Sequence, residues 1–275
     1  MEVKEKITPA WLDESHPNYE RWKRARSISK ERGKFVVSII EKKIKCSGLT
    51  VLDLGSGQGG TATVLSENNN LFSLDIDKTR LNFQKDFDQY IFRINGDALN
   101  VPLKDDSFDL IILQDVIEHL QNPELIISVL YNLLKKDGIL YLSTPNKYSI
   151  FNFFTDPHWG LPFVSILRRK TIKEMFLKSY RKSEYKRRDI AQLVSLKELQ
   201  KLFDDKFEYK LHTKYSVNEL FNGNKGIVWS DFHLKILKLL KALKLDGIVR
   251  GISNDKQGFI NKFINPTFYF TLKKL

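Results

Sequence analysis

The sequence predicts an α/β fold in which a mostly parallel sheet carries helices on both faces. Residues 50–65 run from a short apolar strand through a glycine-dense turn into a helical segment, which is the order of elements in an α/β unit. Apolar strands and helical segments then alternate up to residue 145, and this alternation favours right-handed crossovers between parallel strands. One strand, residues 109–113, is apolar after its first residue, as expected of a strand buried on both faces.

The N-terminal part, residues 1–46, is predicted to be helical. Its apolar side chains recur at a helical rather than a strand spacing. These residues are Ile28, Phe35, Val36, Ile39, Ile40 and Ile44. A helix over residues 27–45 follows from this spacing.

The central part, residues 47–145, holds five predicted strands and the helices between them. One helix is expected over residues 78–86. Another begins with Asn122 as its N-cap and Pro123 in its first turn, and it ends with Lys135 and Lys136 in its last turn, just before Gly138. The strands are predicted at residues 50–54, 71–75, 90–94, 109–113 and 139–143.

The α/β alternation stops after residue 145. Residues 146–194 form an insert that is first aromatic and then basic. Ser195 and Glu198 make a capping box that opens a helix through Phe203, and a strand is expected over residues 207–214. A second insert, residues 216–265, contains a helix over residues 231–245, and the last strand covers residues 267–272. We treat residues 1–275 as one domain, with 195–275 as its C-terminal part.

The turn after the first strand is built to approach a ligand. Glycine there can take positive φ and leaves no Cβ between the backbone and the ligand. Gly55, Gly57 and Gly60 formally match the dinucleotide pattern G-x-G-x-x-G. Asp53 argues against a dinucleotide, because its carboxylate would face and repel a pyrophosphate. The same carboxylate suits a ligand that carries an ammonium and a sulfonium.

Residues 53–59, Asp-Leu-Gly-Ser-Gly-Gln-Gly, resemble motif I of the class I S-adenosylmethionine (SAM)-dependent methyltransferases. Residues 73–77, 95–98 and 107–120 resemble later motifs of that family in the same order, so the resemblance covers about residues 47–145. It implies a Rossmann-like, seven-stranded sheet of order 3-2-1-4-5-7-6, whose last strand is antiparallel. It also implies SAM as cofactor and S-adenosylhomocysteine (SAH) as product, with residues 1–46 capping the cofactor site.

The resemblance assigns cofactor roles to individual residues. Asp75 would bind the ribose hydroxyls through its acceptor oxygens, and Ile76 would pack on the adenine. Asp97 would accept from the adenine amino group beside the amide of Ala98, and Gln114 would lie along the methionine portion. The remaining cofactor-binding residues belong to the first motif: Asp53, Gly55, Ser56, Gly57 and Gly59.

Methyl transfer needs chiefly alignment of the reactants, but an oxygen acceptor usually also needs a base. His119 is the candidate base, since its unperturbed pKa suits proton removal near neutrality. Asp115, Glu118 and His119 form D-x-x-E-H, which resembles the E-x-x-E-H that can hold a divalent metal in ubiquinone-type O-methyltransferases. The Asp at the first position departs from that pattern and shortens the reach, so we expect no metal.

The aromatic part of the insert is expected to shape the acceptor pocket, with Tyr148, Asp156, His158 and Trp159 as its lining. A segment of this kind after residues 144–146 resembles methyltransferases that act on quinones, lipids and cell-envelope glycans. Two other acceptor chemistries do not fit. The single cysteine, Cys46, precedes the glycine motif and cannot act as a nucleophile there. The segment Gln114-Asp115-Val116-Ile117 is not the Asp/Asn-Pro-Pro-aromatic turn of enzymes that methylate DNA amino groups.

The net charge of +12 is concentrated in one segment. Residues 168–188 contain ten Lys or Arg against Glu174 and Glu184, a net charge of +8. Such a patch predicts an anionic partner, which is lipid headgroups, nucleic acid or a phosphorylated substrate; the alternative is a helix face that meets only solvent. Lysines also follow one another along 231–245, which is either a second membrane contact or an amphipathic lid. Nucleic acid is the weaker alternative, because no recognised RNA-binding module accompanies the patch.

The composition indicates a cytoplasmic protein that can associate peripherally with the inner face of a membrane. No apolar run is long enough to span a bilayer, the first six residues lack the apolar stretch of a secretory signal, and the lone cysteine fits a reducing compartment. The leading hypothesis is a SAM-dependent methyltransferase that acts on a small-molecule or lipid- or glycan-linked acceptor, at oxygen. The alternatives are an RNA methyltransferase and a catalytically inactive SAM-binding scaffold.

Overall fold

A computed structural model describes residues 12–16, 18–84, 90–100, 103–185, 190–227 and 231–275. Seven strands form one sheet of order β3-β2-β1-β4-β5-β7-β6. β7 runs antiparallel to β5 and β6, and the other pairs are parallel. The expected fold class and strand order are therefore confirmed. The strands are β1 Thr50–Leu54, β2 Asn70–Asp75, β3 Ile91–Asn95, β4 Phe108–Gln114, β5 Leu134–Pro145, β6 Phe207–Leu211 and β7 Thr267–Lys274.

Helices cover both faces of this sheet, and further helices lie within the two inserts. Short 3₁₀ or π segments link several of them, such as Ile117–His119 after β4 and Ile260–Ile264 before β7. The α-helices are α1 Tyr19–Ser27, α2 Ser29–Ile40, α3 Gly60–Ser66, α4 Lys78–Phe83, α5 Pro123–Leu133, α6 Ile150–Phe154, α7 Arg169–Thr171, α8 Lys178–Tyr180, α9 Leu196–Phe203, α10 Thr213–Asn222, α11 Asp231–Ala242 and α12 Asp246–Ile252.

The apolar core has two halves, one on each face of the sheet. β4 shows why, because successive side chains of a strand point to opposite faces. Ile111 and Leu113 pack with α5 and α9 on one face, whereas Leu110 and Ile112 pack with α2 and α3 on the other. The prediction of a central strand that is buried on both sides is confirmed.

Several element boundaries differ from those expected. The helix that begins at Pro123 ends at Leu133, and Lys135 lies in β5. Its ammonium binds the carboxylate of Asp109 at 2.8 Å, so this lysine ties β5 to β4. The expected Lys-rich last turn of the helix is wrong, because the chain pairs with β4 from Leu134 onward and both lysines lie in β5.

The other boundary changes lie in the N- and C-terminal parts. The helix expected over 27–45 is α2, which begins at Ser29 and ends at Ile40, and α1 is a separate helix before it. β6 ends at Leu211 instead of residue 214, because buried His212 turns its Nε2 to Thr271 Oγ1 at 2.8 Å and α10 starts at the next residue. The helix expected over 231–245 stops at Ala242. Residues 85 and 86 of the helix expected over 78–86 lie outside the described residues. In the described part of the chain, no helix is both long and apolar enough to cross a lipid bilayer.

Candidate functional site

A cleft of about 1130 Å³ opens at the carboxyl ends of β1, β2 and β4. This is the edge of an open α/β sheet at which ligands bind. Its floor is the glycine turn and the segments after β2, β3 and β4. Its roof comes from α1 and from residues 157–159 of the first insert.

The glycine turn adopts the backbone that its sequence predicts. Gly55, Gly57 and Gly59 have φ of 71°, 55° and 81°, which residues with a Cβ rarely adopt. A Cβ on Gly55 would lie 2.4 Å from a methyl group of Val116, whereas one on Gly57 would meet nothing within 4 Å. Gly55 therefore allows close packing beneath the turn, and Gly57 leaves the cleft open to a ligand.

Asp75 connects the end of β2 to the glycine turn. Its Oδ2 accepts a hydrogen bond from the Gly57 amide and its Oδ1 accepts one from the Asp77 amide, both at 2.8 Å. Each carboxylate oxygen keeps further acceptor capacity. Ile76, the next residue, lines the cleft and is 75% exposed, so it offers an apolar surface to a ligand.

Asp53 lies deeper, at the end of β1, with only 3% of its surface exposed. Burial raises the pKa of its carboxyl to about 7, the negative charge of Asp75 adds to the rise, and a hydrogen bond from the Ala62 amide opposes it. A cation that entered the cleft would favour the ionised form of Asp53. This environment suits a positively charged ligand group.

The predicted residues after β3 and β4 also line the cleft. Asp97 accepts a hydrogen bond from the Leu99 amide at 3.0 Å through Oδ1, so it shapes a turn and still presents its other oxygen. Ala98 lies beside it. Gln114 accepts a hydrogen bond from the Thr61 hydroxyl at 2.6 Å, which fixes its side chain at the start of α3.

Sequence analysis did not find a buried amide beneath the glycine turn. Gln84 has no exposed surface, and its Nε2 donates to Ser56 Oγ at 3.0 Å and to the Gly57 carbonyl at 2.7 Å. The Ser73 hydroxyl lies 2.7 Å from its Oε1. A glutamine just after a short helix carries no sequence signal for this role, because its partners lie far away along the chain.

Arg32 was likewise not predicted as a site residue. It pairs with Asp115 on the wall of the cleft, and the Ser143 hydroxyl donates to the other carboxylate oxygen of Asp115 at 3.0 Å. Asp115 has a φ of 54°, a conformation that is uncommon for a residue other than glycine. Arg32, Gln114 and Asp115 also line a small adjoining cavity of about 10 Å³, a volume on the scale of one water molecule.

Glu118 and two histidines form a titratable cluster beside the cleft. The rings of His119 and His158 meet edge to face with centroids 5.0 Å apart. Glu118 is 1% exposed: its Oε2 accepts from the Thr144 hydroxyl at 2.9 Å, whereas its Oε1 lies 3.7 Å from His158 Nε2 and accepts no hydrogen bond from the residues that the structure describes. Burial raises the pKa of this carboxyl well above its usual range, and the nearby charge of Asp115 adds to the effect.

One ligand atom from each of Glu118, His119 and His158 lies within 4.8 Å of the others. This donor set could hold a divalent cation. It is not the set Asp115–Glu118–His119 considered from the sequence, because Asp115 is directed to Arg32 and Ser143. His158 brings the third donor from the insert, 39 residues after His119, and no local pattern predicts that approach.

The four predicted acceptor residues lie in different surroundings. His158 and Trp159 line the cleft, whereas Tyr148 and Asp156 are not among its lining residues. Asp156 is 2% exposed and accepts hydrogen bonds from the amides of His158 and Trp159 at 2.8 and 2.9 Å. Burial raises its pKa to about 6. Asp156 therefore shapes the loop that carries the two lining residues, and Tyr148 is 48% exposed outside the cleft.

Comparison with known proteins points to one family. The model of a methyltransferase domain matches residues 52–142. A probable S-adenosylmethionine-dependent methyltransferase of Mycolicibacterium smegmatis is 28% identical over 104 residues, which are 38% of this chain and 40% of that protein. A ubiquinone biosynthesis O-methyltransferase of Glaesserella parasuis is 48% identical over 42 residues, or 15% of this chain and 18% of that protein. The chain thus spans less than half the length of either relative.

Solved structures share the fold over nearly the whole chain. A SAM-dependent methyltransferase of Thermotoga maritima, described as a possible histamine N-methyltransferase, has a TM-score of 0.54 at 17% identity and covers 94% of this chain and 96% of its own. The plantazolicin methyltransferase BpumL, in complex with SAH, has a TM-score of 0.56 at 16% identity, over 96% of this chain and 92% of its own. The resemblance seen in the sequence is confirmed, since residues 52–142 match the methyltransferase domain model.

Proposed function

We propose that this protein is a SAM-dependent methyltransferase that transfers a methyl group to a small-molecule or lipid- or glycan-linked acceptor, at an oxygen atom. The arrangement at the carboxyl ends of β1 and β2 carries the proposal. Two buried acids, Asp53 and Asp75, flank an open glycine turn, and Ile76 offers an apolar surface next to them. The acids repel a pyrophosphate and attract an ammonium and a sulfonium.

Different residues of the cleft bind different parts of the cofactor. Asp75 has acceptor capacity left for the ribose hydroxyls, Ile76 packs on the adenine, and Asp97 with the Ala98 amide recognises the edge of that ring. Asp53 and the amides of the glycine turn hold the amino-acid portion, and Gln114 lies beside it. The bound cofactor supplies a methyl group already activated by its sulfonium, so the protein chiefly aligns the acceptor with it.

The acceptor is proposed to enter between the glycine turn and the roof. His119 remains the candidate base for an oxygen acceptor, and its position against His158 supports this role, since both imidazoles line the cleft. The buried carboxyl of Glu118 lies next to them, and because its pKa is raised it can hold a proton near neutrality. No metal is required by this proposal.

The setting of the reaction is also a proposal. Cys46 is buried and unpaired, which supports a reducing, cytoplasmic compartment. The basic segment 168–188 supports an anionic partner less strongly than its composition suggests. Arg168, Lys170, Lys178 and Lys182 are exposed, but the Arg169 guanidinium turns inward and donates to the carbonyls of Glu118, Leu120 and Ile190. Residues 186–188 lie outside the described part of the chain.

Calorimetric titration with SAH tests the cofactor site. Asp75→Asn removes a charged acceptor facing the ligand but keeps the shape of the side chain and one acceptor for the Gly57 amide. We expect at least tenfold weaker SAH binding, since a hydrogen bond to a charged group contributes roughly 1.5–3 kcal/mol. Asp105→Asn, an exposed acid outside the cleft, is the matched control and should bind like the wild type. Equal affinity in all three proteins contradicts the assignment.

Product formation separates an enzyme from an inactive scaffold. The wild-type protein, incubated with SAM and a lipid or small-molecule extract, should release SAH, and Asp53→Asn should release far less. Binding of SAH without any product from such extracts would favour the scaffold. Product that appears only with total RNA would favour the RNA methyltransferase.

A further inference from the structure

Helix α11 and the turn after it carry a regular series of lysines. Lys235, Lys238, Lys241 and Lys244 recur every third residue, and no acidic residue lies between residues 232 and 245. All four are exposed. These lysines form a cationic series that winds partly around α11 and the turn after it, separate in the sequence from the basic segment 168–188.

The apolar face of the same helix is exposed as well. Ile236, Leu239 and Leu243 follow the i, i+3, i+7 spacing that places side chains on one helical face. Leu239 and Leu243 are 58% and 57% exposed, although residues at the centre of a core-facing stripe should be the most buried. No residue of α11 whose burial is described is buried. Among the described elements, α11 has no extensive packing partner, whereas α12 packs on α10.

Helix α12 continues the exposed apolar surface. Ile248 and Ile252, four residues apart and thus on one helical face, are 61% and 50% exposed. α12 has no buried residue. The two helices between Asp231 and Ile252 are therefore amphipathic without being seated in the core. An amphipathic lid, the alternative expected from the sequence, would bury this face instead.

We propose that α11 and α12 dock on the surface of an anionic lipid bilayer, with their leucines and isoleucines in the headgroup region and the lysines against the phosphates. A helix with an apolar face and a lysine-rich polar face lies in the plane of a membrane interface in this way, and each lysine near an anionic surface adds to the attraction. A nucleic acid would satisfy the lysines but leave the apolar face uncovered.

The position of α11 relates this contact to the candidate site. Gly226, shortly before the helix, lies so close to α2 that a Cβ on it would be 2.3 Å from the Glu31 carbonyl oxygen. The next residue, Ile227, lines the small cavity together with Arg32 and Gln114. In the sequence, the proposed lipid-binding helix therefore begins four residues after a residue that lines the wall of the candidate site. Docking of α11 then brings the cleft to a lipid-linked acceptor. This step alone rests on the proposed function.

Flotation of the full chain with vesicles tests the proposal. Wild-type protein should float with phosphatidylcholine–phosphatidylglycerol vesicles and much less with phosphatidylcholine alone. Lys235→Glu/Lys238→Glu/Lys241→Glu should weaken partition onto the anionic vesicles on the order of a hundredfold. Leu239→Ser/Leu243→Ser should weaken it roughly tenfold and should remove the binding that persists at high salt.

The matched control is Lys197→Glu/Lys201→Glu, two exposed lysines of α9, which should bind vesicles within about twofold of the wild type. If the α11 variants float like the wild type, or if the α9 control loses as much binding, the proposal is overturned. It is also overturned if the lysine variant loses binding to total RNA while its vesicle binding is unchanged.

Titration with SAH keeps this test separate from that of the proposed function. Every variant should bind SAH like the wild type, which also shows that it is folded. Protein that floats with anionic vesicles through α11 but never binds SAH would leave the membrane contact standing and remove the proposed enzyme activity. Protein that binds SAH but does not float would remove the membrane contact and leave the proposed enzyme activity standing.

Discussion

Asp53 illustrates how a single buried group sets the behaviour of the cleft. Its carboxyl has a pKa of about 7, chiefly because burial disfavours its charged form. A pKa raised in the folded state means that Asp53 stabilises the fold below the unfolded value of about 4 and that this stabilisation is lost as the pH rises through 7. The ionised carboxylate of Asp53 lowers the stability of the fold, and a cationic ligand needs this same ionised form.

Two titrations check this relation. Between pH 4 and 7, the free energy of unfolding of the wild type should fall relative to that of Asp53→Asn, by on the order of 3 kcal/mol. Over the same range SAH binding to the wild type should tighten, whereas binding to the variant should be weak and lack this slope. Asp109→Asn is the control. The pKa of the Asp109 carboxyl is lowered, with Lys135 as its partner, so Asp109 changes the pH dependence of stability only below about pH 4. Parallel stability curves for wild type and Asp53→Asn would refute the raised pKa.

The residues that sequence analysis found and missed differ in how their partners are placed. Asp75 and Ile76 sit at the end of a strand, a position that the pattern of strand and turn defines locally. Gln84 and Arg32 act on the site through contacts with residues that are distant in sequence. Only the packing of helices on the sheet creates those contacts, and the local pattern of one sequence carries no signal for them.

At the scale of elements, two close approaches between helices hold α2 against the glycine turn. A Cβ on Gly33 would lie 2.9 Å from the Gly60 carbonyl oxygen, and one on Gly60 would lie 2.5 Å from Ser29 Cβ. α2 and α3 therefore cross with backbone nearly touching backbone. This contact places Arg32, the residue before Gly33, over Asp115 at the wall of the cleft. The helical spacing predicted that α2 would exist but not where it would cross.

Gly33→Ala should push α2 away from α3. We expect the free energy of unfolding to fall by about 1–3 kcal/mol, as is usual for overpacked sites, and SAH binding to weaken because the turn and Arg32 shift together. Gly251→Ala in α12, where a Cβ meets nothing within 4 Å, should instead be neutral or stabilise by up to about 1 kcal/mol. Chemical denaturation and calorimetry measure both. A Gly33→Ala protein as stable as the wild type would show that the helices can separate at no cost.

At the scale of the whole molecule, the cleft is roofed by two segments that are far apart in the chain. The Asn18 side chain donates to the His158 carbonyl at 2.9 Å, and Arg21 donates to the Asp156 carbonyl at 3.0 Å. His16 and Glu184, both nearly buried, lie 3.2 Å apart. The N-terminal helices and the first insert thus form one roof, and a ligand that fills the cleft must enter past it or open it.

Asn18→Ala should loosen this roof without disturbing the sheet. Asn18 is 5% exposed, and its removal leaves the partly buried His158 carbonyl without this donor, at a cost of about 1 kcal/mol. Hydrogen exchange should become faster in α1 and around residues 156–159, while the amides of β1 and β4 keep their protection, because local opening need not involve the core. SAH should also dissociate faster. Asn132→Ala, at an exposed position of α5, is the matched control and should change neither quantity. Uniformly faster exchange in the Asn18 variant would mean that the roof and the sheet open together, and unchanged exchange would mean that the two segments do not depend on this contact.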